Sequence, residues 1–267
     1  MADRIINILT NASYESKKTA ERLSSSLLER GFKPFYGFDG DAELSICIGG
    51  DGSFLKTAHN NNFPRIPFVG INTGHLGFYQ EIIPGKIDEF LDSYMEGKYS
   101  RSQIKLVKAD IYTKNKVFKQ YAVNEMVLKA SHSKLVHINV FIDSNHLEKF
   151  SGDGLLISTP SGSTAYNFSS GGAIVHPSLH VLQLNPISPV NSSAYRSLGS
   201  SIIVPGGHTI SLVLEKRYAS ANLLLVDGAE NFYTNLHRVN LRLSNKYITK
   251  LVFSENSYWN NLKDKFL

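Results

Sequence analysis

Leu44 to Phe54 reads LSICIGGDGSF, and Asp51 is the residue in it whose type and place could do chemistry. Leu44 to Ile48 is an unbroken apolar run of the kind that forms a strand covered on both faces. Gly49 and Gly50 end it, Gly52 follows Asp51, and Ser53-Phe54-Leu55-Lys56 opens a helical pattern. Strand, glycine turn and helix in that order make the ligand crevice at the carboxyl edge of an open α/β sheet. Glycines let a phosphate approach the main chain, and a helix N-terminus adds amide donors and a partial positive charge. An acid there repels a phosphate unless a metal or a hydroxyl stands between them. Asp51 therefore suits a group that holds a phosphoryl acceptor or takes its proton. The same residues also suit a tight turn whose Asp caps the following helix.

Three further stretches carry candidate residues. Asn124-Glu125 sits in the apolar pattern Ala122 to Leu128, read as strand, where neighbours point to opposite faces. One of the two then turns inward and needs a partner, either a ligand's hydroxyls or base or another part of an edge strand. Ser158 to Gly172, STPSGSTAYNFSSGG, combines small hydroxyl residues with glycines. It reads as a strand end, a cap at Ser161 and a short helix from Thr164 to about Ser169. Its donors and acceptors and the Tyr166 ring favour a binding surface over a flexible loop. Gly152-Asp153-Gly154 and Asp227-Gly228 read as turns. Cys47, within the apolar run, reads as a small buried residue rather than a nucleophile.

The elements around these residues divide the chain of 267 residues in two. Residues 1–100 alternate strand and helix patterns: Arg4–Leu9, Glu15–Arg30, Lys33–Phe38, Leu44–Ile48, Gly52–Asn61, Pro67–Asn72 and Lys86–Glu96. This is the order of a parallel sheet with helices. A second glycine-rich loop, Thr73 to Tyr79, falls at the same sheet edge; its His75 is read as a structural, hydrogen-bonded histidine. Residues 101–253 are short β-branched or alternating segments with turns, which indicate a mostly β domain. Residues 254–267 carry Trp259, Leu262 and Phe266 at helical spacing, a helix expected to pack back on the first domain.

With one cysteine no internal disulfide forms, which fits a reducing cytoplasm. No apolar run is long enough to span a membrane. The net charge of +5 contains no dense basic run, so phosphates and nucleotides are more economical partners than nucleic acid.

GGDG at Gly49–Gly52, TGHLGF at Thr73–Phe78, NE at Asn124-Glu125, GDG at Gly152–Gly154 and TPSGSTAY at Thr159–Tyr166 together resemble the NAD kinase family, in order and spacing across nearly the whole chain. GGDG alone is shared with lipid kinases and phosphofructokinases; TPSGSTAY with NE is specific. The resemblance implies a Rossmann-like α/β N-terminal domain, a β-rich C-terminal domain, and phosphoryl transfer from ATP to NAD with Mg²⁺. The same resemblance makes Asp51 the catalytic base toward the adenosine 2′-hydroxyl and gives Gly49, Gly50, Gly52 and Ser53 the phosphate loop. By that likeness Asn124, Glu125, Ser161, Thr164, Ala165 and Tyr166 hold the adenosine, with Phe78 on the base and Asp153 and Ser169 along the rest of the dinucleotide. A homodimer or homotetramer is implied too. No metal ligand is assigned. Ser53 replaces a usual Thr, Asp227-Gly228-Ala229-Glu230 lacks the Gln of the family's DGQ turn, and Ser151 stands where some relatives are basic. No GxxxxGK[ST] or GxGxxG motif is present, so backbone amides and Mg²⁺ must neutralise the donor phosphates. The rival readings are a lipid or sphingoid kinase and a non-catalytic dinucleotide sensor.

Overall fold

A computed structural model describes residues 4–74, 77–130, 134–193, 196–215, 222–254 and 256–267. His75 lies outside them. The chain forms two compact units, Met1–Ile104 with Tyr247–Leu267, and Lys105–Lys246.

The first unit runs β1 (Ile5–Thr10), α1 (Tyr14–Glu29), β2 (Lys33–Tyr36), β3 (Leu44–Gly49), α2 (Asp51–Asn60), β4 (Phe68–Asn72) and α3 (Ile87–Met95). Its strands lie in the order β2-β1-β3-β4, all parallel. Every residue of β3 is buried, as expected for a strand covered on both faces. The α1 helix starts at Ser13, whose hydroxyl accepts the Ser16 N–H, and it turns Ala20, Leu23 and Leu27 into the core. The α2 helix buries Phe54 completely, stacked on Tyr79 at 4.6 Å and edge-on to Phe68 at 5.6 Å.

The second unit holds β5 (Ser100–Thr113), which begins in the first, β6 (Val117–Ala122), β7 (Glu125–Ala130), β8 (Val136–Ile142), β9 (Asn145–Ser158), a short helix α4 (Tyr166–Ser169), β10 (Val181–Pro189), β11 (Ile202–Pro205), β12 (Ile210–Leu214), β13 (Asn222–Val226), β14 (Ala229–Phe232) and most of β15 (Leu236–Val252). The end of β15 returns to the first unit, where Lys250 pairs in parallel with Phe68, and α5 (Ser257–Phe266) closes the chain. Strand pairing within the second unit is antiparallel.

Several expected boundaries differ for definable reasons. The strand read through Ala122–Leu128 is broken at Val123-Asn124, because the Asp227 carboxylate takes the amides of Val123, Asn124 and Glu125. Gly152-Asp153-Gly154 is not a turn but lies inside the continuous strand β9. A Cβ on Gly152 would come within 2.8 Å of the Ser188 carbonyl, and one on Gly154 within 2.8 Å of the Leu128 carbonyl. Those glycines permit close strand packing rather than reversal. The strand β10 was hidden by Pro186 and by Gln183 and Asn185. Both polar side chains are buried and bonded to backbone, Gln183 to Ala173 in both directions and Asn185 to the Ser170 carbonyl. The long strand β15 runs unbroken from Leu236 to Val252. Asp227 and Gly228 both have positive φ, the two-residue hairpin turn that joins β13 to β14.

Phe54→Ala removes a fully buried ring and should cost about 3–5 kcal/mol of stability, read by denaturant titration. A loss below about 1 kcal/mol would mean that the α2 packing is not as described.

Candidate active site

In the first unit, β3 delivers its end into the glycine turn. Gly49 has φ of 151°, and a Cβ there would overlap the Ser53 hydroxyl, which itself accepts a hydrogen bond from Asn11 at 3.1 Å. A side chain at Gly49 is thus excluded twice, by backbone and by space. Gly50 and Gly52 have open space where a side chain would stand, so the main chain is accessible to a ligand. Asp51 is the first residue of α2 but does not cap it; Gly50 is the cap position, without a side-chain bond. The Asp51 carboxylate instead crosses to the second glycine loop. It accepts the Phe78 N–H at Oδ2 (3.1 Å) and the Tyr79 N–H at Oδ1 (3.0 Å). Gly77 must lack a side chain, since a Cβ there would overlap that carboxylate. Gln80 Nε2 donates to the Gly50 carbonyl at 2.6 Å, a second tie between the two loops.

The C-terminal helix α5 lies on the same loop. Asn261 donates to the Gly77 carbonyl at 3.0 Å, and Lys265 Nζ is 3.7 Å from Asp51 Oδ2 and 5.0 Å above the Phe78 ring. The Phe78 ring stacks on Phe266 and meets Tyr258, so it contacts the chain's own helix. Of the expected apolar stripe, Phe266 makes this contact, whereas Trp259 is 57% exposed. A cavity of about 650 Å³ opens between α2 and the ends of β1 and β2, lined among others by Thr10, Asn11, Tyr36, Ser53, Lys56 and Asn60. Cys47 is packed inside β3, and burial pushes its thiol up to about 11, which leaves it protonated and unreactive at neutral pH.

In the second unit, the bend at residues 123–125 is built on Asp227, whose oxygens accept three consecutive amides at 2.7, 2.7 and 3.3 Å. The bend buries both Asn124 and Glu125, in place of the opposite-faced pair that a regular strand would present. Thr159 ties the other stretch to it: its hydroxyl donates to the Val123 carbonyl at 2.6 Å and accepts the Gly162 N–H. Ser161 is therefore not the cap, because Thr159 does that work. Gly162 lies so close to the Asn124 backbone that a Cβ would overlap it. The expected helix from Thr164 is cut to α4 because Ala165 has extended-side dihedrals, φ −98° and ψ −132°.

The structure thus brings Asn124, Glu125, Ser161 and Thr164 to one corner, with Ala165 and Tyr166 next along the chain; Tyr166 is 39% exposed. Ser169 is exposed at the end of α4. Asp153 is exposed too, but five residues down β9 from Ser158, roughly 16 Å away at strand rise. Ser151 is fully buried with its hydroxyl 2.8 Å from His137 Nδ1, so it presents nothing to a ligand. Sequence reasoning missed Gly77, Gln80, Lys250 and Lys265 around Asp51, and the organising role of Asp227. Only Gly77 and Asp227 carried a signal, as members of a glycine loop and a turn.

Glu125 Oε2 is buried without a hydrogen-bond partner among the described residues. Burial first, and the Asp227 charge second, push this carboxyl up to about 8. The folded chain then keeps a proton that the unfolded chain releases near the ordinary Glu range. Stability contributed by neutral Glu125 is full below that range and is lost as pH rises toward about 8. Melting curves of the nucleotide-free protein at about pH 5 and about pH 8 should show Glu125→Gln gaining on wild type at the higher pH. Parallel behaviour of the two proteins would remove Glu125 as a titrating group.

An acid on a glycine turn that opens a helix is an arrangement suited to handling the phosphates of a nucleotide. Residues 36–99 match the model of the ATP-NAD kinase N-terminal domain, and residues 123–252 match that of the ATP-NAD kinase C-terminal domain. The chain belongs to the NAD kinase family. It is 45% identical over 268 aligned residues to the NAD kinase of Finegoldia magna, covering 99% of this chain and 98% of that one. It is 36% identical over 235 residues to NAD kinase 1 of Listeria monocytogenes, covering 86% and 87%. Two solved structures share its fold at 19% identity. Yeast NADH kinase complexed with NADH superposes with a TM-score of 0.84 over 98% of this chain and 87% of that one. An NAD kinase from Archaeoglobus fulgidus in complex with ATP superposes with 0.76 over 97% of each.

Proposed function

We propose that Asp51 accepts the proton of the 2′-hydroxyl on the adenosine ribose of NAD while the γ-phosphoryl group of ATP moves to that oxygen, giving NADP and ADP. The new bond joins the ribose oxygen to the γ-phosphorus, and the bond from that phosphorus to the β–γ bridging oxygen breaks. The observation that carries the proposal is the posture of Asp51. Its two backbone bonds use two of about four lone-pair sites, which fixes the carboxylate and leaves sites for a hydroxyl proton. Phosphoryl transfer asks the protein chiefly for such positioning and for charge neutralisation.

The remaining roles rest on the family resemblance. Gly49, Gly50, Gly52 and Ser53 shape the turn that receives the donor phosphates, with the α2 amides as donors. The cavity beside Lys56 at the end of β1 has room for a nucleotide, and we infer that the donor occupies it. Phe78 supplies the amide that orients Asp51. Asn124, Glu125, Ser161, Thr164, Ala165 and Tyr166 take the adenosine, and Asp153 and Ser169 the rest of the dinucleotide. Among the described residues no three His, Cys, Asp or Glu side chains cluster as a metal cage. We infer that Mg²⁺ enters as MgATP, since the ion commonly binds through substrate phosphates and keeps its waters. No helix of the described residues is long and apolar enough to cross a membrane. A cytoplasmic setting is supported by the lone buried thiol of Cys47, and a homodimer or homotetramer by the family resemblance alone.

NADP formation from NAD and MgATP is the test. Asp51→Asn should retain NAD binding and lose about 10²–10⁴-fold in kcat; near-wild-type turnover would refute Asp51 as the base. Lys56→Met should raise KM for ATP several-fold and leave KM for NAD unchanged. An unchanged KM for ATP would move the donor out of that cavity.

A further inference from the structure

Lys250 is a buried lysine on β15, far in sequence from every motif above. Its Nζ donates to the Phe78 carbonyl at 3.2 Å. That carbonyl and the Tyr79 N–H belong to one planar peptide group, and the Tyr79 N–H is the donor to Asp51 Oδ1 at 3.0 Å. A continuous chain of hydrogen bonds therefore runs from the ammonium through one peptide to the carboxylate. Hydrogen bonds in series polarise one another, most strongly away from water.

The anchoring of Lys250 supports a directed role. Glu81 Oε2 lies 3.8 Å from Nζ, and its other oxygen accepts the amides of Phe253 and Ser254, which ties the end of β15 to the loop after β4. Burial presses the ammonium toward losing its proton, and Glu81 and then Asp51 oppose this. A buried ion pair is often no more stabilising than apolar residues of the same volume, so packing alone does not call for a lysine at this point. Lys265 reaches the other carboxylate oxygen directly but at 3.7 Å and one-third exposed, where solvent screens it.

We propose that Lys250 is a positioning residue for Asp51, holding the Phe78–Tyr79 peptide so that its N–H is aimed and polarised toward the carboxylate. This rests on Asp51 as the reacting group, and the two ideas fail separately. Turnover retained in Asp51→Asn defeats both, whereas an inactive Asp51→Asn beside a fully active Lys250→Met defeats only the role of Lys250.

The experiment compares wild type, Lys250→Met, Lys250→Arg and the double variant Lys250→Met/Glu81→Gln in NADP formation, with melting temperatures taken alongside. Misplacing a reacting group by about an ångström can cost roughly 10²-fold. Lys250→Met should lower kcat by about 10- to 100-fold with KM for NAD and ATP within twofold, and Lys250→Arg should recover a substantial part. The double variant leaves neither charge of the Lys250–Glu81 pair alone and should be the better folded of the two, so its kcat carries the decision where the single variant is unstable. A kcat per folded molecule within twofold of wild type, whatever the melting temperature, would overturn the proposal.

Discussion

The carboxylate of Asp51 receiving two backbone amides is the interaction on which the first unit's site depends. It joins the end of β3 directly to the loop after β4. Gly77 must be bare for the carboxylate to fit, and Gln80 returns to the Gly50 carbonyl. A charged acceptor taking two amides is a stronger tie than a pair of neutral bonds. The group proposed for proton transfer is thus also the group that shapes its own surroundings.

The second unit uses the same device. Asp227 gathers the amides of Val123, Asn124 and Glu125, which interrupts a strand that would otherwise run through. The interruption turns Asn124 and Glu125 into a buried corner. Glu125 then bears the cost: it loses water and gains Asp227 as a neighbour, and one of its oxygens has no hydrogen-bond partner among the described residues. An unpaired buried polar atom is costly to the folded state. In this light the absence of Gln after Asp227-Gly228 matters little to the bend, since the work is done by Asp227 itself.

Much was legible in the sequence because local physics decides it. The run Leu44–Ile48, the glycines after it and the helical pattern beyond gave the parallel unit and its sheet edge, and β-branched alternation gave the second unit's character. The combination of motifs named the family. Legibility failed where one residue answers to another far along the chain. Gly152-Asp153-Gly154 looked like a turn, since a turn glycine and a close-packing glycine are the same letter. The strand β10 was hidden because Gln183 and Asn185 are satisfied by backbone that only folding brings near.

The sequence by itself determined which residues could do chemistry here: an acid on a glycine turn, and an Asn-Glu pair with a hydroxyl-rich stretch after it. Only the tertiary structure decided what holds them. That Asp51 turns from its own helix to residues 78 and 79, that Asp227 builds the bend at 123–125, and that Lys250 stands behind the Phe78–Tyr79 peptide are contacts across 27, 104 and 172 positions. Hydrogen bonds at such separations leave no periodicity, because periodicity records only what a residue's near neighbours require.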